Sequence, residues 1–347
     1  MKQIMECVPN FSEGRDPAVI AAIREVLSGT EGVRLLHVDA GHAANRTVMT
    51  FAGTPEAVQE AAFRAIRRAS ELIDMRKHRG EHPRFGATDV CPLIPVRGIS
   101  LDEAAAYAHR LGKRVGEELG IPVYCYEAAA TAEHRQSLAA CRAGEYEGLS
   151  QKMRQEGWLP DYGPDCLNER SGAVAVGARS LLIAWNVNLN TRDKAAARTI
   201  AGELRESGIP LRDPETGLPL YDAAGRMLRR PGRLKKVRAI GWYMAEYGRA
   251  QVSMNLLDYR HTPMHKIWEA VAESAGRQGL RITGSELVGL IPLEALTAAG
   301  AYFLRKAGKK DQTAEQELIQ TAVREMGLDE LAPFCPEQRI LEYLLNS

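Results

Sequence analysis

Two threonine-proline dipeptides, Thr54-Pro55 and Thr262-Pro263, each follow a pair of strand-like runs and each open a helical run. A capping hydroxyl before a proline at the first helical position is a strong helix start. Around the first dipeptide the pattern predicts a strand at 3–8 and a helix from Asp16-Pro17 to about Leu27. Strands at 33–39 and 47–51, the Thr54 helix and a strand at 89–96 follow, then a helix capped by Ser100 and a strand at 121–126. Around the second it predicts a strand at 180–188, a helix at 192–207, strands at 237–246 and 251–259, the Thr262 helix and a strand at 281–287. The shared β-α-β-β-α-β order is that of a split βαβ, ferredoxin-like sandwich. The fold class expected is therefore α/β, an α+β sandwich built as two related ferredoxin-like subdomains.

A chain of 347 residues also exceeds the ~250–300 at which one core stops growing. Proline and glycine at 159–176 mark a seam, so the domains expected are 1–178, 179–326 and a tail at 327–347. Residues 208–232, dense in Pro, Gly and charge, predict a long surface excursion that acts as a flap.

Lys and Arg number 45 against 44 Asp and Glu. This balance supplies no global field for nucleic acid or an anionic membrane, and any recognition of charge must be local. Glu6 and Pro9 interrupt the N-terminal run that a signal peptide needs, and no run approaches the ~20 apolar residues of a membrane span. A cytoplasmic location is expected. The six cysteines form no C-x-x-C pair, which predicts reduced thiols rather than a disulfide framework.

Chemistry concentrates in three places. Residues 74–90 hold Lys77, His78, Arg79, His82 and Arg84 within eight positions, and Gly80, Pro83 and Gly86 stop the helix from continuing. His78 and His82 have the spacing of a helical metal pair, but the breakers spoil that helix and no third ligand cluster is evident, so no metal is expected. An imidazole among cations is instead kept neutral and available as a base near pH 7; the alternative is a solvated basic loop. Residues 39–47 combine Asp39, Asn45 and Arg46, a group suited to orienting an imidazole or holding a carboxylate, or simply to turn formation. Asn186, Asn188 and Asn190 alternate and share one strand face if the strand persists, which suits a heterocycle or a strand end. Dinucleotide, Walker and nucleophile-elbow patterns are missing from any convincing setting.

The blocks ECVPNFSEG (6–14), DAGHAANRTV (39–48), LIDMRKHRGEHPRFGATDVCPLIPVRG (72–98), RAGEYEGL (142–149), PGRLKKVRAIGWY (231–243) and LVGLIP (287–292) closely resemble the formiminotransferase domain of glutamate formimidoyltransferases. The likeness runs in order along the whole chain. It implies a two-subdomain enzyme, typically a homodimer, with a tetrahydrofolate tunnel between the subdomains. The implied reaction, part of histidine degradation, moves a formimidoyl group between 5-formimidoyltetrahydrofolate and L-glutamate. The resemblance makes His82, in its GEHPR motif, the catalytic acid/base. It also assigns folate contact to Gly163, Pro164, Asp165, Cys166, Leu167, Asn168, Glu169, Arg170, Ser171 and Gly172.

With that chemistry, Asp39 is expected to hold the His82 ring, while Arg46 and Arg84 offer forks to the carboxylates of glutamate or of a folate tail, which can be polyglutamylated. His42 stands where relatives carry proline and receives no role. The 208–232 segment is longer than in those relatives, and the chain ends without the cyclodeaminase domain of the animal proteins, so ammonia release is expected to need another protein. Two other functions fit the same residues: formyl transfer from N-formylglutamate to tetrahydrofolate, and folate binding without turnover.

Overall fold

In a computed structural model the chain is described over residues 3–80, 82–223, 225–309 and 314–346. It divides into two compact units, Met1–Leu181 and Leu182–Ser347. The division falls just past the boundary expected at 178, and residues 327–347 group with the second unit.

The first unit begins with β1 (Ile4–Cys7) and β2 (Asn10–Phe11), α1 (Pro17–Ser28), β3 (Val33–Gly41), β4 (Arg46–Gly53), α2 (Pro55–Leu72) and β5 (Thr88–Arg97). It continues with α3 (Leu101–Leu119), β6 (Val123–Glu127), α4 (Leu138–Arg142), α5 (Glu145–Lys152) and β7 (Val174–Ala178). The caps are those the sequence advertises. Asp16 accepts from Ala18 N, Thr54 from Ala57 N, and Ser100 with Glu103 closes a capping box.

Strands β1 and β2 lie in line between β4 and β5, with β3 beyond β4. That is the antiparallel ferredoxin-like core. The sheet then continues past β5 into β7 and β6, both parallel additions. Strand β7 lies in the stretch expected to be a seam: its Val-Ala-Val-Gly-Ala run is too short and too small to stand out, and burial on both faces makes it a strand. Helices α1–α3 cover one face of the sheet over Met5, Phe51, Leu93 and Val123. Phe85, Val90, Tyr124 and Tyr126 occupy the other, packed with Cys141 and Leu149 of α4 and α5.

The second unit holds β8 (Ile183–Leu189), α6 (Lys194–Leu204), β9 (Ile209–Pro210), β10 (Arg229–Arg230), β11 (Val237–Met244) and β12 (Arg249–Leu256). There follow α7 (Met264–Arg277), β13 (Ile282–Val288), α8 (Leu293–Lys306), α9 (Glu315–Glu325), α10 (Pro336–Arg339) and α11 (Leu341–Asn346). Its sheet order, β11-β12-β8-β13, is antiparallel throughout. Both units therefore share the β-α-β-β-α-β core.

The cap parallel is only partial. Thr262 does not cap α7, which starts after Pro263; its hydroxyl donates to Lys235 O at 2.7 Å instead. The 208–232 segment carries backbone pairing, β9 with β10 and bridges at Arg212–Pro219 and Tyr221–Met227. No helix among the described residues is long and apolar enough to cross a membrane.

A backbone crossing just before the β5–β7 ladder adds to the join between the parallel extension and the rest of the first unit. Gly86 pairs with Gly172, and Ala87 N donates to Ser171 O while Ala173 N donates to Phe85 O. A Cβ on Gly86 would sit 1.8 Å from Ala173 O, a backbone atom that cannot step aside. Gly86→Ala is expected to lower stability by roughly 1–3 kcal/mol or more through overpacking. Gly148→Ala, on α5 with nothing within 4 Å of the new Cβ, should be neutral or stabilising because alanine favours helix. Equal urea midpoints for the two variants would remove the crossing from the account of stability.

Candidate active site

The β3–β4 hairpin, the β1–β2 strand pair, the loop before β5 and the start of α5 meet at one corner of the first unit. Asn45, in a left-handed conformation with φ 49°, turns the hairpin. Its side chain accepts from Gly14 N at 3.0 Å and donates to Arg79 O at 3.0 Å, while its carbonyl oxygen lies 2.8 Å from His78 Nε2. Three segments distant in sequence are tied by one residue. Ser12 adds a fourth tie, donating to Gly86 O at 2.7 Å.

Within this frame Arg46 points across β2 toward β5. Its Nη2 donates to Asn10 Oδ1 at 2.7 Å and ion-pairs with Asp89 Oδ2 at 3.0 Å; its Nη1 reaches both His82 Nδ1 and Pro83 O at 2.8 Å. Asp89 is aimed at it by a bulge. Asn10 pairs with Val90 and Phe11 with Thr88, so Asp89 is the extra residue of β5. The carboxylate is fully buried, accepts from Phe85 N at 3.0 Å and meets Arg142 of α4 at 2.6 Å.

Burial alone would raise the Asp89 pKa. Arg142 and Arg46 outweigh it, and the carboxyl stays below its ordinary value. Arg46 is pushed down to about 10 by burial and remains charged. His82 is pushed down to about 3, first by burial and then by the Arg46 charge. The imidazole is neutral throughout the physiological range. The chain Asp89–Arg46–His82 places a cation at Nδ1 of the ring.

The other sequence candidates divide clearly. Arg84 lies in the same loop, but its fork is bidentate on Glu147 at 2.8 and 2.7 Å, with Glu145 at 3.2 Å, and its Nε donates to His78 Nδ1 at 3.2 Å. His78 is thereby a buried neutral pin, its pKa lowered chiefly by burial. Arg46 and Arg84 both spend their donors inside the protein, which leaves little for a substrate carboxylate. Asp39 stands half-buried on β3, and the carboxylate on Arg46 is Asp89.

The 163–172 loop comes alongside the His82–Gly86 segment. Tyr146 donates to Glu169 O at 2.5 Å and its own N–H to Arg84 O, Asn168 donates to Gly120 O, and Arg170 holds the end of α2 through Ser70 O and Glu71 O. Asp165 and Cys166 are exposed there.

Asn186 and Asn188 belong to the second unit, on the face of β8 opposite the buried Trp185, Val187 and Leu189. They close a polar network: Asn186 donates to Glu286 at 3.1 Å, Asn188 donates to Glu330 at 2.6 Å and accepts from Gln251 at 2.7 Å, and Arg249 pairs with Glu330. Asn190, past the strand end, accepts from Arg281 N. Among the described residues no group of three or more His, Cys, Asp or Glu side chains is placed to hold a metal.

Asn10, Asp89 and Arg142 were missed from sequence. The signal available was Asp89 itself, an acid opening the apolar run Val90–Leu93, because a buried carboxylate requires a cationic partner. Which cation meets it is decided by the bulge and by α4.

Both lowered imidazoles set a pH dependence. His78 and His82 have folded pKa values below the ordinary 6.5, so as pH falls through that value the unfolded chain takes up more protons than the folded chain. Stability is full above that value and falls as pH drops. The denaturant midpoint should decline more between about pH 7 and pH 5 in the wild type than in a His78→Gln, His82→Gln double variant. Parallel declines would remove the two rings as its cause.

A sequence model of the formiminotransferase domain, N-terminal subdomain, matches residues 4–179, and one of the formiminotransferase domain matches 184–346. Formimidoyltransferase-cyclodeaminase of Rattus norvegicus is 50% identical over 345 residues, 99% of this chain and 60% of that protein. The chain thus spans about three fifths of the length of that relative. Glutamate formimidoyltransferase of Streptococcus pyogenes serotype M1 is 39% identical over 305 residues, 88% of this chain and 94% of the relative. The protein of the same name from Thermoplasma acidophilum is also 39% identical, over 88% of this chain and 93% of its own length. With both subdomain models matched in order over nearly every residue, the chain belongs to the formiminotransferase domain family.

Proposed function

We propose that the chain is a glutamate formimidoyltransferase, moving the formimidoyl group between 5-formimidoyltetrahydrofolate and L-glutamate with His82 as the proton carrier. The observation that carries this reading is the His82 imidazole, held at Nδ1 by Arg46 and kept neutral in a buried charged corner. In either direction one amine nitrogen attacks the amidine carbon and gives up a proton, while the other leaves that carbon and takes one. A single imidazole between them serves both steps. An imidazolium formed beside Arg46 is a strong acid, so a proton taken from the attacking nitrogen passes readily to the leaving one. Binding without turnover has no use for such a ring.

The reading includes tetrahydrofolate as cosubstrate, contacted by the 163–172 loop, and no catalytic metal. Chelation by EDTA should leave turnover unchanged; a stoichiometric metal required for activity would remove that part. It also includes a homodimer acting in the cytoplasm, for which sedimentation equilibrium should return twice the chain mass.

His82→Ala should lower kcat by roughly 10²–10⁴-fold, the usual worth of general acid–base catalysis. Tetrahydrofolate affinity should change far less, because a proton carrier acts in the transition state. Since the neutral ring persists well below the ordinary histidine range, the wild-type rate should not fall on a His82 limb near pH 6.5. Near-normal kcat in His82→Ala would overturn the mechanism. Formimidoylglutamate and formylglutamate assayed side by side decide the transferred group, and faster turnover of the formyl donor would replace this function with formyl transfer.

A further inference from the structure

A guanidinium can only donate, so an Arg46 Nη1 placed 2.8 Å from His82 Nδ1 makes that ring nitrogen an acceptor. The ring proton then resides on Nε2. Pro83 O lies 3.0 Å from the same Nδ1 and also accepts from Arg46 Nη1 at 2.8 Å. A proton on Nδ1 would find its acceptor there, without any rotation of the ring. The two alternatives are unequal in strength, since the Arg46 bond is charge-assisted and the guanidinium is fixed by Asp89 and Asn10.

We propose that Arg46, anchored by Asp89, is a positioning residue that keeps the resting His82 in its Nε2–H form, with Pro83 O as the second acceptor the ring uses when Nε2 must take a proton. This rests on the catalytic role of His82 given above. The change of form moves one proton: Nε2 releases a proton to water and Nδ1 receives one from water, and the ring remains neutral. It inverts the familiar arrangement in which a carboxylate accepts from Nδ1–H and leaves Nε2 as the base. Here a cation stands between carboxylate and ring.

Among the described residues, the charged groups that bear most on His82 are Arg46 from β4, Asp89 from β5 and Arg142 from α4. All three bear on its titration, while Arg46 alone among them donates to Nδ1 in the bonds described. The tautomer is therefore a reading of one bond, whereas titration reads the sum.

The test is ¹⁵N NMR of histidine-labelled full-length protein without substrates, using two-bond proton–nitrogen correlations that distinguish the tautomers. His82→Gln assigns the signal. The wild type should show His82 as Nε2–H at neutral pH. Arg46→Met, which cannot donate, should shift the ring toward Nδ1–H and raise its titration toward the ordinary histidine range, with a lower kcat and little change in tetrahydrofolate Kd. Asp89→Asn should fall between the two.

A wild-type ring in the Nδ1–H form overturns the proposal, and that spectrum decides even if Arg46→Met does not fold. An unshifted tautomer in a folded Arg46→Met variant overturns it too. The functional reading is tested separately by kcat of His82→Ala, so either can fail alone.

Discussion

A carboxylate at zero exposure is tolerable only if its charge is answered, and Asp89 is answered twice, by Arg46 and by Arg142. Taking such an ion from water costs several kcal/mol, and leaving it without a partner costs about 3–5 kcal/mol. Both cations are therefore drawn into the first unit. Arg46 brings the β3–β4 hairpin and Asn10 with it; Arg142 brings α4 and the cap over the second face of the sheet. The corner that holds His82 is assembled around this one buried charge.

The remaining contacts stiffen the same corner. Arg84 is gripped by Glu147 and Glu145 at the start of α5, and His78 is fixed between Arg84 and the Asn45 carbonyl. A loop rich in glycine and proline would otherwise wander, and the proton carrier proposed above depends on being held to within about an ångström. Gly80 and Gly86 belong to this economy of space. A Cβ on either would strike a backbone carbonyl, Ala44 O or Ala173 O, so each permits a close approach that carries the loop past its neighbours.

Charge placement also explains how the two arginines of the corner are held. A guanidinium beside a candidate base suggests a carboxylate fork for substrate. In the structure both Arg46 and Arg84 are paired with internal acids, and each also touches an imidazole, His82 or His78. The alternating asparagines of β8 behave in the same way, since Asn186 and Asn188 are engaged by Glu286, Glu330 and Gln251 rather than left open.

Much of this molecule is legible in one dimension because the relevant physics is local. Apolar periodicity, the Asp16, Thr54 and Ser100 caps and the breakers at Gly80 and Pro83 fix the helices and the His82 loop from neighbouring residues alone, and the repeated element order follows. The blocks 6–14, 39–48, 72–98 and 142–149 likewise carry their family on their face. Tertiary structure decided what depends on residues far apart: that Val174–Ala178 is a strand, because two layers bury it; that Thr262 serves Lys235 O and not a helix end; and that Asp89, by one bulged position, meets Arg46. Long-range pairing of charges has no period and no local signature, so the ionic chain that sets the state of His82 exists only once the strands are side by side.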